Sequence, residues 1–266
     1  LSEGIRLVYV FDGKPPEMKG VTNEKRSDNK NVAREKYEEA KEKEDYGSMR
    51  KYSQQFVRID ENIVKESKEL LEAMGIGVVQ APSEGEAQAS FLAKHKEVYG
   101  VASQDYDCLL FGAPRLIQNL TLARKRKTVS GFVEIKPEVI ELDKVLNSLN
   151  IDHDQLICLG ILVGTDYNPY GIKGIGQKKA LDLVRKLKSP VKIFGNFEEL
   201  DFDWKKVFEL FKKPSVDKNV KIEFPQLDED RIVEILVNRD FSEDRVRKPI
   251  EKLKELKGKG AQKTLF

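Results

Sequence analysis

Two pairs of carboxylates, each placed directly after a short apolar run, constrain this sequence more than any other feature. The first pair follows the run 77–80 and the second follows the run 98–102; the four residues are Glu84, Glu86, Asp105 and Asp107. Short apolar runs that alternate with helical segments predict a mostly parallel sheet covered by helices on both faces. Ligand sites form where the strands of such sheets end. Because crowded carboxylates repel one another unless cations lie between them, the pattern predicts a divalent metal site.

A structural role stays open for either pair alone. Ser83 followed by Glu86 matches a capping box, in which the two side chains satisfy backbone groups at a helix start. A calcium-binding EF-hand loop is excluded for the second pair, because Leu109 and Leu110 stand where that loop needs an oxygen ligand and a glycine.

Two further acids stand at the ends of predicted elements and favour the metal site. Asp12 follows the predicted strand 5–11, although an Asp before Gly-Lys-Pro-Pro is also typical of a turn. Asp166 follows a predicted buried helix, 156–163, which Asp152 and Gln155 would cap. An acid at a helix C-terminus opposes the helix dipole and therefore needs a cation or other compensation.

The composition limits the metal and the class of protein. The sequence has 266 residues, of which 35% are charged, yet its net charge is only +2, so a nucleic-acid surface requires segregated charge. Two scattered histidines are too few for zinc, which leaves magnesium or manganese bound by oxygen atoms. Two cysteines without a Cys-x-x-Cys pattern indicate buried thiols in a reducing compartment. Without a signal peptide or membrane-length apolar run, the sequence predicts a soluble intracellular protein.

Three segments outside the acid motifs carry structural expectations. Segment 22–44 is almost wholly polar, which predicts a helix that stands in solvent, bridges elements or orders on binding. Apolar residues recur at helical spacing from Met49 to Met74, which predicts one long core helix. Segments 116–122 and 129–135 are predicted to pair as a hairpin with a basic tip at 124–127.

A glycine-rich segment, Gly171–Gly176, opens a predicted helix with Lys178 and Lys179 at its start. Glycines let an anion approach the backbone closely, and the N–H groups of a helix start point toward it. This is the helix-hairpin-helix pattern, which grips one DNA backbone without reading bases.

Together these residues resemble the flap endonucleases of the XPG-type structure-specific nucleases, and most of all the archaeal members. The resemblance covers nearly the whole chain and rests on four motifs in order: Val10–Pro16, Ala81–Ala87, Ser103–Leu109, and Gly164–Tyr167 running into Gly171–Gly176. It implies an α/β fold with a central mostly parallel sheet, helices on both faces, a helical arch and a helix-hairpin-helix DNA-binding subdomain. The implied division is a nuclease core at 1–166 with the arch at about 17–50, a helix-hairpin-helix and helical part at 167–256, and a flexible tail at 257–266.

The resemblance also implies a site. Two Mg²⁺ ions, for which Mn²⁺ can substitute, would be held by six acids: mainly Asp12, Glu84 and Glu86 for one ion, and mainly Asp105, Asp107 and Asp166 for the other. Since residues two apart on a helix face different ways, one of the two glutamates would act through water. Lys19 and Arg26 match the basic arch residues that steady the phosphate. Gly174, Gly176, Lys178 and Lys179 would hold the duplex, with K⁺ as a further expected ion at the hairpin.

The implied activity is cleavage of 5′ flaps on branched duplex DNA in replication and repair, with 5′–3′ exonuclease activity as a further expectation, in the cytoplasm or nucleoid. Gln262, Leu265 and Phe266 match part of the motif that binds the sliding clamp (PCNA). The family's N-terminal segment, with one more metal-site Asp, has no counterpart in this sequence, so the activity of the chain by itself stays open.

Other classes stay open. A catalytically silent DNA-junction scaffold of the same fold would not need six acids. An acid-cluster RNA nuclease or a magnesium phosphatase would not need the duplex-gripping hairpin.

Overall fold

The computed structural model describes residues 4–56, 60–120, 125–128 and 131–258; the side chains of residues 17, 20–29, 56, 126–128 and 256–258 lie outside that description. The described chain is an α/β protein and divides into two compact units. One unit comprises the described residues of Leu1–Phe11, Ser27–Gln80 and Lys218–Phe266, and the other comprises Asp12–Arg26 and Ala81–Asp217. The α/β class expected from the sequence is confirmed.

Short strands alternate with helices along the chain. The strands are β1 (Val8–Phe11), β2 (Gly77–Gln80), β3 (Val101–Ala102), β4 (Arg115–Gln118), β5 (Lys125–Thr128), β6 (Gly131–Glu134) and β7 (Glu138–Glu141). The helices are α1 (Gly20–Glu42), α2 (Tyr46–Phe56), α3 (Glu61–Ala73), α4 (Gly85–Lys94), α5 (Asp107–Leu110), α6 (Leu142–Leu149), α7 (His153–Val163), α8 (Gln177–Leu187), α9 (Pro190–Phe194), α10 (Trp204–Lys212), α11 (Glu229–Val237) and α12 (Glu243–Gly258), with a 3₁₀ turn at Glu17–Lys19. None of the described helices combines the length and apolarity that a membrane crossing needs.

The first unit contains a parallel pair of strands, β1 and β2. Their register places Phe11 opposite Gln80, and Gln80 Nε2 donates a hydrogen bond of 3.3 Å to the Phe11 carbonyl. Its core consists of buried residues from three helices: Ala73 of α3, Ile232 of α11, and Val246 and Ile250 of α12. Strand β1 ends at Phe11, so Asp12 is the first residue after it, as the sequence predicts.

The single long helix predicted from Met49 to Met74 is wrong, because α2 and α3 are separate helices. Asp60 begins α3: its backbone is extended (φ −91°, ψ 171°) and its carboxylate accepts the Ile63 N–H at 2.8 Å. An N-cap residue has a non-helical backbone and so interrupts any helix that precedes it. The apolar spacing continues through Asp60 and therefore conceals the break.

The polar segment 22–44 forms a helix, α1, as expected. Ala33 and Ala40 on this helix are only 2% and 5% exposed. Residues seven apart lie on the same face of a helix, so α1 packs through a narrow strip of small side chains. The segment is therefore not polar on every face, although it lacks a broad apolar stripe.

The second unit contains a three-stranded sheet in the order β3-β4-β7, in which β3 is parallel and β7 antiparallel to β4. Strands β5 and β6 form a separate antiparallel ladder. The predicted hairpin between 116–122 and 129–135 is therefore wrong. Leu116 is fully buried and pairs with Ile140 of β7, whereas Phe132 of β6 is 71% exposed. Burial selects the partner of β4, and the alternation of apolar residues alone does not reveal it.

Helix α7 lies in the core of the second unit. Ile157, Cys158, Ile161 and Leu162 have no exposed surface, which confirms the buried helix predicted there. The predicted caps are also confirmed: Asp152 Oδ1 accepts the Gln155 N–H at 2.8 Å, and Gln155 Oε1 accepts the Asp152 N–H at 2.9 Å. Because α7 is buried along its length, the loop at its C-terminus, which carries Asp166, starts from a fixed helix end.

Candidate metal centre

Asp12 is held against the start of α4. Its Oδ1 accepts the Gly85 N–H at 2.6 Å, and the Gly13 N–H donates to the Ser83 carbonyl at 2.6 Å. A Cβ on Gly13 would lie 2.2 Å from the Ala81 carbonyl oxygen, so this close approach requires glycine. A carboxylate at a helix N-terminus is favoured by the dipole, which helps to fix Asp12.

The two glutamates of α4 contact different partners. Glu84 is the N-cap residue of α4, makes no side-chain cap, and places Oε2 2.7 Å from Lys19 Nζ. Glu86 Oε1 accepts a hydrogen bond of 3.1 Å from Ser103 Oγ. The capping box between Ser83 and Glu86 is therefore wrong: Ser83 Oγ donates to the Lys14 carbonyl at 3.1 Å instead. Glu84 has an extended backbone and precedes the first helical residue, so the two glutamates do not stand two apart on one helix, and the expectation that one of them acts through water stays a prediction.

Asp105 and Asp107 are ordered by a turn that begins at Ser103. The Asp105 N–H donates to Ser103 Oγ at 3.0 Å, and the Asp107 N–H donates to Asp105 Oδ1 at 2.9 Å. The same hydroxyl of Ser103 donates to Glu86, so one side chain links the two carboxylate pairs. Residue Ser103 belongs to a sequence motif, but this linking role is not evident from the sequence.

Asp166 lies in the loop after α7 and contacts Lys19. Its Oδ2 is 3.3 Å from Lys19 Nζ, and the side chains of Lys19 and Glu84 are only 14% and 11% exposed. The ammonium also lies 5.5 Å from the centre of the Tyr167 ring. Burial alone would lower the pKa of Lys19, but the hydrogen bond and charge of Glu84 and the charge of Asp166 outweigh it and raise the pKa. Lys19 therefore stays charged.

Burial, together with repulsion between neighbouring acids, raises the pKa of two of the carboxyl groups. Burial, followed by the charge of Asp105, raises the pKa of Glu86 to about 7. Burial, followed by the charges of Asp105, Glu86 and Asp166, raises the pKa of Asp107 to about 7. Asp12 also contributes to the shift at Glu86. The acids thus share one electrostatic neighbourhood in which a divalent cation would relieve the repulsion.

The donor chemistry of this cluster fits a hard divalent ion, because every candidate ligand is a carboxylate oxygen. In the part of the chain that the structure describes, no three His, Cys, Asp or Glu side chains are arranged closely enough to hold one metal ion. Lys19 instead supplies the positive charge between Glu84 and Asp166. The assignment of the six acids as metal ligands stays a prediction.

The predicted DNA-gripping segment lies at the start of α8. Gly176 is its N-cap residue, without a side-chain cap, and Gly174 has a φ of +81°, which favours glycine. A Cβ on either glycine would meet no atom within 4 Å. Lys178 and Lys179 are exposed, and Lys179 Nζ donates to the Gly174 carbonyl at 3.2 Å. The backbone at Gly174 and Gly176 is thus open to a ligand on the side where a Cβ would stand.

Two predicted contact groups fall outside the described part. The side chain of Arg26 belongs to the undescribed stretch of α1, and the tail residues Gln262, Leu265 and Phe266 lie beyond residue 258. The structure adds Ser103, whose hydroxyl donates to Glu86 and accepts the Asp105 N–H. Sequence spacing does not reveal these contacts.

Comparisons with known proteins show which family this chain resembles. A family model described as the XPG I-region matches residues 75–166, which include five of the six acids. The chain is 49% identical to flap endonuclease 1 of Hyperthermus butylicus over 260 residues, which cover 96% of this chain and 74% of that relative. It is 40% identical to the solved flap endonuclease-1 from Methanococcus jannaschii, with a TM-score of 0.71 and coverage of 96% of this chain and 76% of that one.

A more distant structure shares the fold. The catalytic core of Rad2, solved in complex with a DNA substrate, is 23% identical, with a TM-score of 0.63 and coverage of 93% of this chain and 79% of that one. The identity to the Hyperthermus butylicus protein, over about three quarters of that protein's length, is what establishes kinship. The chain belongs to the flap endonuclease family of structure-specific DNA nucleases.

Proposed function

We propose that this nuclease hydrolyses a phosphodiester at the base of a 5′ flap on branched duplex DNA, during replication and repair. The observation that carries the proposal is the group of six carboxylates in one compact unit, with Lys19 in contact with two of them. Five of these acids lie within the matched XPG I-region. A site with so many repelling acids costs stability, and a cation-dependent reaction explains why the chain carries them.

The six acids would hold two Mg²⁺ ions, and Mn²⁺ would substitute because it accepts the same oxygen ligands. Asp12, Glu84 and Glu86 would serve mainly one ion, and Asp105, Asp107 and Asp166 mainly the other. When bound, such ions activate a water molecule, orient the phosphate and stabilise the leaving oxygen.

Lys19 would act on the scissile phosphate. Its ammonium is charged and lies beside Glu84 and Asp166, so it is already at the acid cluster before substrate arrives. A phosphate oxygen would replace these carboxylates as its partner and gain a charge-assisted hydrogen bond. Arg26, seven residues further along, would supply a second cation to the same phosphate. The segment at about 17–50, which contains α1, would form the arch.

The start of α8 would hold the duplex. The bare backbone at Gly174 and Gly176 lets a phosphate approach the N–H groups of the helix start. Lys178 and Lys179 would add charge without reading bases. Residues 167–256 would form the helix-hairpin-helix part, with K⁺ bound at the hairpin. The Rad2 core, which shares this fold, was solved with DNA.

The tail at 257–266 would dock on the sliding clamp (PCNA) through Gln262, Leu265 and Phe266. Docking would raise the concentration of the nuclease at junctions without changing its site. With DNA as its substrate, the protein would act in the cytoplasm or nucleoid.

Cleavage of matched DNAs tests the proposal. The protein at its full natural length is incubated with Mg²⁺ and, side by side, with 5′-flap, nicked and bubble DNAs that share one sequence. We expect the flap to be cut fastest, at its base. Equal rates on all three DNAs would contradict the flap preference, and binding of the flap without cleavage would identify a silent junction scaffold.

A further inference from the structure

We infer that Asn168 is a positioning residue that fixes Asp166 for metal binding. This inference rests on the proposed assignment of Asp166 to the metal site. Asn168 is buried, with 5% of its surface exposed. Its described side-chain hydrogen bonds go to Thr165 and Ile161 and to none of the six acids. It would therefore act through the backbone that carries Asp166.

The loop after α7 closes back onto the end of that helix. The last carbonyl groups of a helix lack partners within the helix and need other donors. Gly164 N–H donates to the Gly160 carbonyl at 2.8 Å, and Ile172 N–H donates to the Leu162 carbonyl at 2.9 Å. The carbonyl between these two belongs to Ile161, and the Asn168 side chain serves it: Nδ2 donates to that oxygen at 2.6 Å.

The other end of the Asn168 amide holds the residue before Asp166. Asn168 Oδ1 accepts the Thr165 hydroxyl at 2.7 Å and the Thr165 N–H at 3.2 Å. The Asn168 N–H in turn donates to the Thr165 carbonyl at 3.1 Å. An amide side chain offers both a donor and an acceptor, so it can join the helix end to this loop.

Thr165 extends the network to the residue after Asp166. Its hydroxyl oxygen accepts the Tyr167 N–H at 3.2 Å while its proton is given to Asn168. Tyr167 is only 6% exposed, and its ring packs edge-on against Phe211 with centroids 5.4 Å apart. Both neighbours of Asp166 are thus buried, Thr165 bonded directly to the Asn168 amide and Tyr167 bonded to it through Thr165, while the Asp166 side chain retains 30% exposure and reaches Lys19.

This arrangement differs from ordinary loop packing in one respect. Every hydrogen bond of the Asn168 side chain goes either to the end of α7 or to Thr165, and so serves only the segment that carries Asp166. Groups that orient metal ligands typically change metal affinity or activity by about 10–100-fold when they are removed. We expect an effect of that size from Asn168.

The test compares Mn²⁺ affinity, measured by electron paramagnetic resonance titration without DNA, among variants of the full-length protein. Asn168→Leu removes the whole amide, whereas Thr165→Val removes the hydroxyl and keeps the side-chain shape. Thr165→Ser keeps the hydroxyl and should restore binding. We expect Asn168→Leu to weaken Mn²⁺ binding by about 10–100-fold, Thr165→Val to weaken it less, and Thr165→Ser to bind like wild type.

Gln155→Met serves as the matched control. Gln155 is also a buried amide, but it lies at the start of α7, where its Nε2 donates to the Val184 carbonyl at 2.6 Å, at the opposite end of the helix from Asp166. This variant should lower the melting temperature and leave Mn²⁺ affinity unchanged. If Thr165→Val is folded and binds Mn²⁺ like wild type, or if Asn168→Leu loses no more affinity than Gln155→Met, the positioning role is wrong.

Asp166→Ala distinguishes failure of the positioning role from failure of the proposed metal assignment. Weakened Mn²⁺ binding in Asp166→Ala, together with wild-type binding in the Asn168 and Thr165 variants, overturns only the positioning role. Wild-type Mn²⁺ binding in Asp166→Ala itself overturns the proposed metal assignment.

Discussion

Lys19 Nζ lies 2.7 Å from Glu84 Oε2 and 3.3 Å from Asp166 Oδ2, so a side chain supplies the positive charge that these two acids require. The contact of Lys19 with Glu84 brings together residues 65 positions apart in the chain. A divalent ion that uses the same oxygens must displace this ammonium. Lys19 and the metal therefore compete for Glu84 and Asp166, and the displaced ammonium becomes available to a phosphate.

Lys19→Met should separate these two effects. Removing a charge-assisted hydrogen bond should tighten Mn²⁺ binding by up to about tenfold, because the ion no longer displaces a cation. Cleavage at saturating metal should fall by about a hundredfold, because a preorganised cation at the phosphate is lost. Calorimetric Mn²⁺ titration and single-turnover cleavage measure the two quantities.

The matched control is Lys144→Met, which removes an exposed lysine 2.9 Å from Glu141. It should change neither quantity, since an exposed ion pair contributes little. Weaker Mn²⁺ binding by Lys19→Met would contradict competition and show that Lys19 supports the metal ligands instead.

The metal-free protein should become more stable as the pH falls from 8 toward 5.5. The folded pKa of Asp107 is about 7 against an ordinary value of 3.8, and that of Glu86 is about 7 against 4.5. In this window the folded state binds more protons than the unfolded state, so the free energy of unfolding decreases as the pH rises. The destabilisation is complete above pH 7 and disappears as the pH falls toward the unfolded values.

Melting temperatures at pH 5.5 and pH 8, with and without Mg²⁺, measure this effect. Asp107→Asn should have a smaller pH dependence than wild type, because it removes one of the repelling groups. Burial lowers the pKa of His153, which acts in the opposite direction, and comparing variants at each pH cancels that contribution. An equal pH dependence in wild type and Asp107→Asn would contradict the raised pKa of Asp107.

The position of each acid at the end of a secondary-structure element is visible in the sequence, because each acid belongs to a local motif. Asp12 follows β1, Glu84 is the N-cap residue of α4, Asp107 begins α5 and Asp166 follows α7, each within three residues of the end of an observed element. Turn and helix signals operate over a few residues and are therefore visible in a single sequence.

What the sequence does not predict depends on contacts between distant residues. The pairing of β4 with β7, rather than with the nearer segment 129–135, is decided by the burial of Leu116. The contact of Lys19 with Glu84 and the burial of Asn168 depend on the packing of the second unit. Polar residues such as Asn168 look like ordinary loop residues until their buried partners are known.

The lysines at the start of α8 should contribute to DNA binding without sequence preference. Lys178→Ala should weaken binding to every duplex alike and reduce the log–log salt slope by roughly 0.9, the value for one lost phosphate contact. The double variant with Lys179→Ala should reduce it further, although it also removes the hydrogen bond to Gly174. Fluorescence anisotropy across a salt series measures the slope.

Lys205→Ala together with Lys206→Ala is the control, because these lysines stand in tandem at the start of α10 in the same unit. This pair should leave the salt slope unchanged. An unchanged slope in Lys178→Ala would show that this lysine makes no phosphate contact.

The central claim is that the carboxylate cluster performs the chemistry on flap DNA. Asp107→Asn tests it most directly, because this variant keeps the shape of the side chain and removes its charge. The measurement is single-turnover cleavage of one 5′-flap substrate in Mg²⁺ by the full-length protein, with affinity for the same substrate measured in Ca²⁺. The account predicts a rate at least about a hundredfold below wild type with affinity unchanged. Cleavage by Asp107→Asn at a rate close to that of wild type would contradict it.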